Sequence, residues 1–238
     1  MWLNSILKYY FITLISVIMQ RVILFLLLTF ISITGFSQEI KIVDKPIAYD
    51  STRVKLSIEY LKERHGIIQK TPTIQPKMIV LHWTAAKTFS STFNAFNSSK
   101  LPNGDRKDIA SVSSLNTSSQ YLIDRDGTIY RLMPDNYFAR HVIGLNYCAI
   151  GVENVGSSDF PLTDAQLKAN EELIRYLSKK YNIEYLIGHY EYTKFKGTSL
   201  WKETNPNYQT GKNDPGVDFM QRIRTNVKDL NLKGAPAR

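Results

Sequence analysis

Lys77-Met78-Ile79-Val80-Leu81-His82-Trp83 is the stretch on which the fold turns. Four apolar residues run unbroken into a histidine, and so short a continuous run reads as a buried strand rather than a helix. Working outward, Ala149 to Val155 is a second apolar strand, and Glu184 to Gly188 a third that again ends at a histidine, His189. Between them Tyr121-Leu122-Ile123 and Thr128-Ile129-Tyr130-Arg131-Leu132 flank Asp126-Gly127, a favoured reverse-turn pair, and predict a hairpin. Helical spacing appears at Leu56, Ile58, Tyr60 and Leu61, with a stop near Gly66. The clearest helix begins at Thr163-Asp164-Ala165-Gln166, a capping-box sequence, and continues through Leu167, Ile174, Leu177 and Tyr181. A last helix is expected over about Val217 to Leu230, before a flexible tail, 231–238. Strands and helices intermix with no repeat or internal linker. The expectation is a single α/β domain with a central mixed sheet flanked by helices.

The amino end reads differently. Trp2 to Phe36 holds no acidic residue and only two charges, Lys8 and Arg21. From Met19, a short basic start is followed by the apolar run Val22 to Ile33 and the small residues Gly35 and Ser37, the pattern of a secretory signal cleaved after Ser37. Residues 1–37 are therefore read as a leader, with Met19 as the true start. The rival is an uncleaved anchor, which would set Gln20 and Arg21 in mid-membrane at a cost of a few kcal/mol. Membrane contact is expected only through that leader, and the protein is expected to be exported. Gln38 to Asp50 is polar and reads as loosely held, and 38–74 as an extension carrying one helix.

The chain has 238 residues, 43% of them hydrophobic, which excludes a disordered class, and a net charge of +9 that becomes +7 without Lys8 and Arg21. Such basicity suits anionic polymers or serves solubility alone. Lys and Arg are scattered, with no arginine-rich tract or reader motif, so nucleic acid is not an expected partner. The single cysteine, Cys148, allows no intrachain disulfide and lies in an apolar run as an inert thiol.

Two histidines at the ends of two apolar strands can converge on one sheet edge, as metal ligands must. A catalytic zinc takes three protein ligands and a water. Asp214, in Gly211-Lys212-Asn213-Asp214-Pro215-Gly216, is the candidate third ligand, since a turn can aim it at a sheet edge. Read from the residues alone, two meanings stay open: a metal site, or two hydrogen-bonded structural histidines and a plain Asp-Pro-Gly turn.

Six motifs in order narrow the choice: Val80-Leu81-His82-Trp83-Thr84; Leu122 to Gly127; Ala139-Arg140-His141; Asn146 through Ile150-Gly151-Val152-Glu153; Ile187-Gly188-His189; and Lys212 to Gly216. Together they resemble the zinc N-acetylmuramoyl-L-alanine amidases, the family of the phage lysozyme-type amidases and the peptidoglycan recognition proteins. The resemblance covers about residues 75 to 222. It implies that 75–230 is an amidase domain with its zinc in a groove at one sheet edge. It implies His82, His189 and Asp214 as zinc ligands, with aspartate where some members have cysteine. Glu153 is implied as general base and proton shuttle, and Lys212 as the residue facing the oxyanion. Ser119 stands where the phage branch carries a tyrosine, which leaves that role to Glu153. His141 and Asn146 are implied beside the substrate, a peptidoglycan strand or muropeptide. His65 matches nothing in the family and reads as a surface helix residue.

Two segments depart from the family pattern. Tyr190 to Gly211 is longer than usual and holds Tyr190, Tyr192, Phe195, Trp201 and Tyr208, which suit either sugar stacking or packing within the loop. The serine-rich Ser90 to Ser119, with a Pro102-Asn103-Gly104 turn, reads as a surface excursion lidding a groove. A non-catalytic peptidoglycan-binding module of the same fold is the rival function. It is disfavoured by the complete ligand set, and an unrelated zinc peptidase by the lack of a His-Glu-x-x-His helix.

Overall fold

The computed structural model describes residues 2–31, 40–102 and 107–237. It forms two units, residues 1–39 and 40–238. In the first, Trp2–Ile31 is a single helix, α1, with Tyr10, Phe11, Ile12 and Leu14 exposed. The expected cleavage point after Ser37 and the Asn103-Gly104 part of the predicted turn lie outside the described residues.

The second unit is built on six strands: β1 (Ile42–Asp44), β2 (Met78–Trp83), β3 (Tyr121–Ile123), β4 (Ile129–Arg131), β5 (Ala149–Asn154) and β6 (Tyr185–Gly188). They lie in the order β1-β4-β3-β5-β2-β6. The β3–β4 hairpin is antiparallel and every other pairing is parallel, so the sheet is mixed as expected. β2, the opening run, sits between β5 and β6 with Met78 to Leu81 wholly buried. Both its faces are covered, which is why it reads as a continuous apolar run without alternation.

The helices are α2 (Ser51–His65), α3 (Phe89–Asn97), the short α4 (Lys107–Ala110), α5 (Asp164–Lys180) and α6 (Val217–Asn226). In α5 the capping box forms in full: Gln166 N donates to Thr163 Oγ1 and Thr163 N to Gln166 Oε1. Leu167, Leu173, Ile174 and Leu177 then pack with Phe219, Met220 and Ile223 of α6 on one face of the sheet. α2 starts at the Asp50 cap and ends where Gly66 turns left-handed at φ 64°, a conformation glycine adopts without strain.

Four sequence expectations are corrected. Gln38 to Asp50 is not loose in its described part: β1 pairs with β4, Ile42 packs on the core and Ile47 is buried. Sparse apolar residues here buy order through a sheet edge rather than a helix face. Ser90 to Ser119 is more than an excursion: α3 caps on Thr88, and Asn116, Ser118 and Ser119 are buried through backbone-directed hydrogen bonds. The tail is held at its start, where Lys233 bridges to Tyr185 and exchanges backbone hydrogen bonds with Glu184 and Leu186. The last helix also ends sooner, with a 3-10 turn at Lys228–Leu230 after α6.

Candidate metal centre and groove

His82 is the fifth residue of β2, and its register partner on β5 is Glu153. Paired residues on adjacent strands project to the same side, so both face the groove beyond the strands' carboxyl ends. His189 follows β6 directly and opens a 3-10 helix, His189–Phe195. Asp214 comes from the turn before α6: Gly216 N donates to Asn213 O, and Tyr190 N donates to Asp214 O, which fixes the turn beside His189. The Asp214–Pro215 peptide is cis.

These elements bring three ligand atoms together. His82 Nδ1 is 2.9 Å from His189 Nδ1 and 3.1 Å from Asp214 Oδ2, and His189 Nδ1 is 3.0 Å from that oxygen. Burial, and then the neighbouring His82 ring, lowers the His189 pKa to about 4. Burial works to raise the Asp214 carboxyl, but the His189 and His82 rings against its Oδ2 outweigh it and hold the group well below the usual carboxylate range.

The proton arrangement follows from the next contacts. His141 Nε2 lies 3.2 Å from the Ala149 carbonyl, which can only accept, and His141 Nδ1 lies 3.0 Å from His82 Nε2. Burial, then His82, keeps the His141 pKa far below its ordinary value, so the ring is neutral. His141 Nε2 therefore donates to Ala149, and His141 Nδ1 accepts from His82 Nε2–H. With a single proton on the His82 ring, its Nδ1 is a bare lone pair facing the carboxylate and His189. One proton on His189 Nδ1 can serve only one of those two neighbours. A single cation serves all three, and two atoms bound to one tetrahedral zinc at about 2.0–2.2 Å stand about 3.3 Å apart, close to the spacing found. The donor set fits zinc.

Around this cluster runs a groove of about 530 Å³ that Glu153, Lys212, His141 and Asn146 also line. Asn146 Oδ1 accepts from the backbone nitrogens of His141 and Val142 at 2.9 and 2.7 Å, while its buried Nδ2 has no partner among the described residues. His141 lines the groove and has both ring nitrogens engaged within the protein, one of them on His82. Gly151 makes this possible: a Cβ there would stand 2.7 Å from the His141 ring. The sequence reading missed that part for Gly151, although a lone glycine inside a strand is the signal of such a close approach.

The long segment between His189 and Asp214 packs on itself. Tyr192, Phe195 and Tyr208 are buried in one cluster with Val80 and Ile187, and Tyr192 Oη is hydrogen-bonded to both the N–H and the carbonyl of Thr210. Of the two open readings of its aromatics, the structure favours internal packing for these three, and the loop does not displace Asp214. His65 is corrected as well: it is 3% exposed, among Tyr60, Phe138 and Tyr147. Cys148 is buried, with its thiol pushed up to about 12 by burial, and is no nucleophile.

The family model described as N-acetylmuramoyl-L-alanine amidase matches residues 72–217. The chain belongs to the N-acetylmuramoyl-L-alanine amidase family. No curated protein matches it. Solved structures similar to this amidase-family chain include the N-acetylmuramoyl-L-alanine amidase LysC from Clostridium intestinale URNW, at 23% identity over 81% of this chain and 99% of that one, TM-score 0.46. A selenomethionine derivative of AmpD matches at 23% identity over 64% and 84%, TM-score 0.45. Human PGRP-Iβ C, in complex with a glycosamyl muramyl pentapeptide, matches at 20% over 64% and 88%, TM-score 0.44.

Proposed function

We propose that this chain is an exported zinc amidase that hydrolyses the amide between N-acetylmuramic acid and L-alanine in peptidoglycan or muropeptides, in wall remodelling, recycling or lysis. The observation that carries the reading is the triangle of His82 Nδ1, His189 Nδ1 and Asp214 Oδ2, 2.9–3.1 Å on a side, at the floor of a groove. These three residues would hold the metal. Zinc, when bound, polarises the amide carbonyl and lowers the pKa of water to around 7. Glu153, beside His82 on the next strand, takes a proton from the attacking water and returns it to the departing L-alanine nitrogen. Lys212 offers positive charge to the oxyanion that forms as the carbonyl is attacked. Asn146 Nδ2, a buried donor with no partner among the described residues, gives its hydrogen to a substrate oxygen in the groove. The apolar stretch at the amino end, with Lys8 and Arg21 as its only charges, supports export as a cleaved leader, to periplasm or exterior.

The test is protein beginning at Gln38, incubated with muropeptides and read by mass spectrometry. Free stem peptide should appear, cease on chelation and return with added zinc. Peptide release indifferent to chelation would remove the metal from the proposal, and no release with zinc supplied would remove the activity.

A further inference from the structure

Away from the metal cluster, the groove is closed by three segments that depart from the family pattern or precede it. Tyr60 comes from α2 of the extension, Phe96, Ile109 and Asn116 from the serine-rich stretch, and Tyr208 from the long loop. Arg140 lies among them, 3% exposed. Its guanidinium donates to the carbonyls of Ile109, Ser113 and Leu115 and to Tyr208 Oη, and its carbon stands 5.2 Å from the Tyr60 ring centre. All four acceptors are neutral. Among the described residues no carboxylate forms an ion pair with Arg140, and Glu203, whose charge acts on this region, is bound by Arg64. A buried cation whose hydrogen bonds all go to neutral oxygens, and whose neighbouring carboxylate Glu203 is already paired with Arg64, keeps an electrostatic demand for a further anion.

A second observation lies at the same end. Tyr60 is 1% exposed, and its hydroxyl has no hydrogen-bond partner among the described residues although Tyr60 lines the groove. Burial pushes its phenol above the ordinary value, so it remains an O–H donor. Tyr208 Oη accepts from Arg140, which leaves its own hydrogen to give. Folding alone does not account for an unpaired buried hydroxyl, since phenylalanine would fill the same place without leaving a polar group unsatisfied.

We infer that this end of the groove is a carboxylate subsite, in which Tyr60 and Tyr208 hydroxyls, backed by the Arg140 charge, receive a carboxylate of the stem peptide. The inference rests on the amidase reading and assigns that site's preference: acidic stems over stems whose carboxyls are amidated. The α2 extension then belongs to the binding surface, because it supplies one of the two donors.

The experiment titrates the chain carrying Glu153→Gln, expected to slow turnover by roughly 10²–10⁴, with a muropeptide bearing free stem carboxylates and with the same muropeptide fully amidated. The carboxylate form should bind about tenfold more tightly, the size expected for hydrogen bonds to a charged group. Adding Tyr60→Phe should shrink that ratio toward one, while the melting temperature stays level or rises because an unsatisfied hydroxyl is removed. Tyr208→Phe should shrink the ratio in the same direction. Equal affinity for the two ligands, or a ratio kept in both tyrosine variants, overturns the subsite and leaves the amidase reading standing. No binding of either ligand overturns the amidase reading itself, and the subsite with it.

Discussion

Glu153 and His82 stand opposite each other on neighbouring strands, so the carboxylate can be tested without rebuilding the metal cluster. Glu153→Gln keeps the shape and the groove but cannot carry a proton. Its zinc content should equal that of the unaltered chain, while turnover falls by roughly 10²–10⁴, the usual contribution of a positioned acid–base group. Metal analysis and product release on the same sample check this, and undiminished turnover would take Glu153 out of the mechanism. His141 makes a different prediction, because its ring accepts from the far nitrogen of His82 and so fixes which His82 nitrogen is bare. His141→Phe should weaken zinc binding by about 10–100-fold, the effect typical of losing a partner behind a metal ligand. His141→Asn, whose side-chain oxygen can accept from His82 Nε2–H, should recover part of that loss. Competition against a chromophoric chelator reads both, and unchanged affinity in His141→Phe would show that His82 needs no such support.

β5 carries the same logic from residue to element. Its buried face holds Ile150 and Val152, its groove end holds Glu153, and Gly151 between them is the cradle for His141. Gly151→Ala would drive a methyl group to 2.7 Å from that ring and push it off His82. We expect it to reproduce the metal-affinity loss of His141→Phe in a chain that keeps its sheet, as chelator competition and far-ultraviolet circular dichroism together would show. Normal affinity in Gly151→Ala would mean that the ring has room to shift. The elements themselves were legible because their signals are local: the apolar run before His82, the Asp126-Gly127 turn and the Thr163–Gln166 box each need only a few neighbouring residues. What stayed hidden depends on distant partners. β1 was missed because three residues gain strand character only when β4 lies beside them. The convergence of His82, His189 and Asp214 was legible only through the family pattern, since no spacing rule joins residues 107 positions apart. His141's contact with His82 needed the ring positions themselves.

At the scale of the whole folded unit, the extension is part of the core, and His65 gives a way to measure it. α2 lays Arg53, Ser57, Tyr60 and Leu61 inward at helical spacing, and Arg53 ties it to the Phe96 and Ser98 carbonyls at the end of α3. At the other end of α2, Arg64 is paired with Glu203 of the long loop, and Thr204 N donates to the Arg64 carbonyl. His65 sits under that junction with its pKa lowered to about 3, chiefly by burial, against a smaller opposing pull from the Lys202 backbone. An unfolded histidine titrates near 6.5, so between about pH 6.5 and pH 3 the unfolded chain binds a proton here that the folded chain refuses. Stability is therefore intact above pH 6.5 and declines as the pH falls through that window. From pH 7 to pH 5 this one residue should remove about 2 kcal/mol. His65→Phe fits the aromatic surroundings of Tyr60, Phe138 and Tyr147 and has no proton to take up. Urea unfolding of both proteins at the two pH values isolates the effect, because every other titrating group is common to them. The variant should lose less stability on acidification by about the amount given, and parallel losses would mean that His65 is already hydrated in the folded chain.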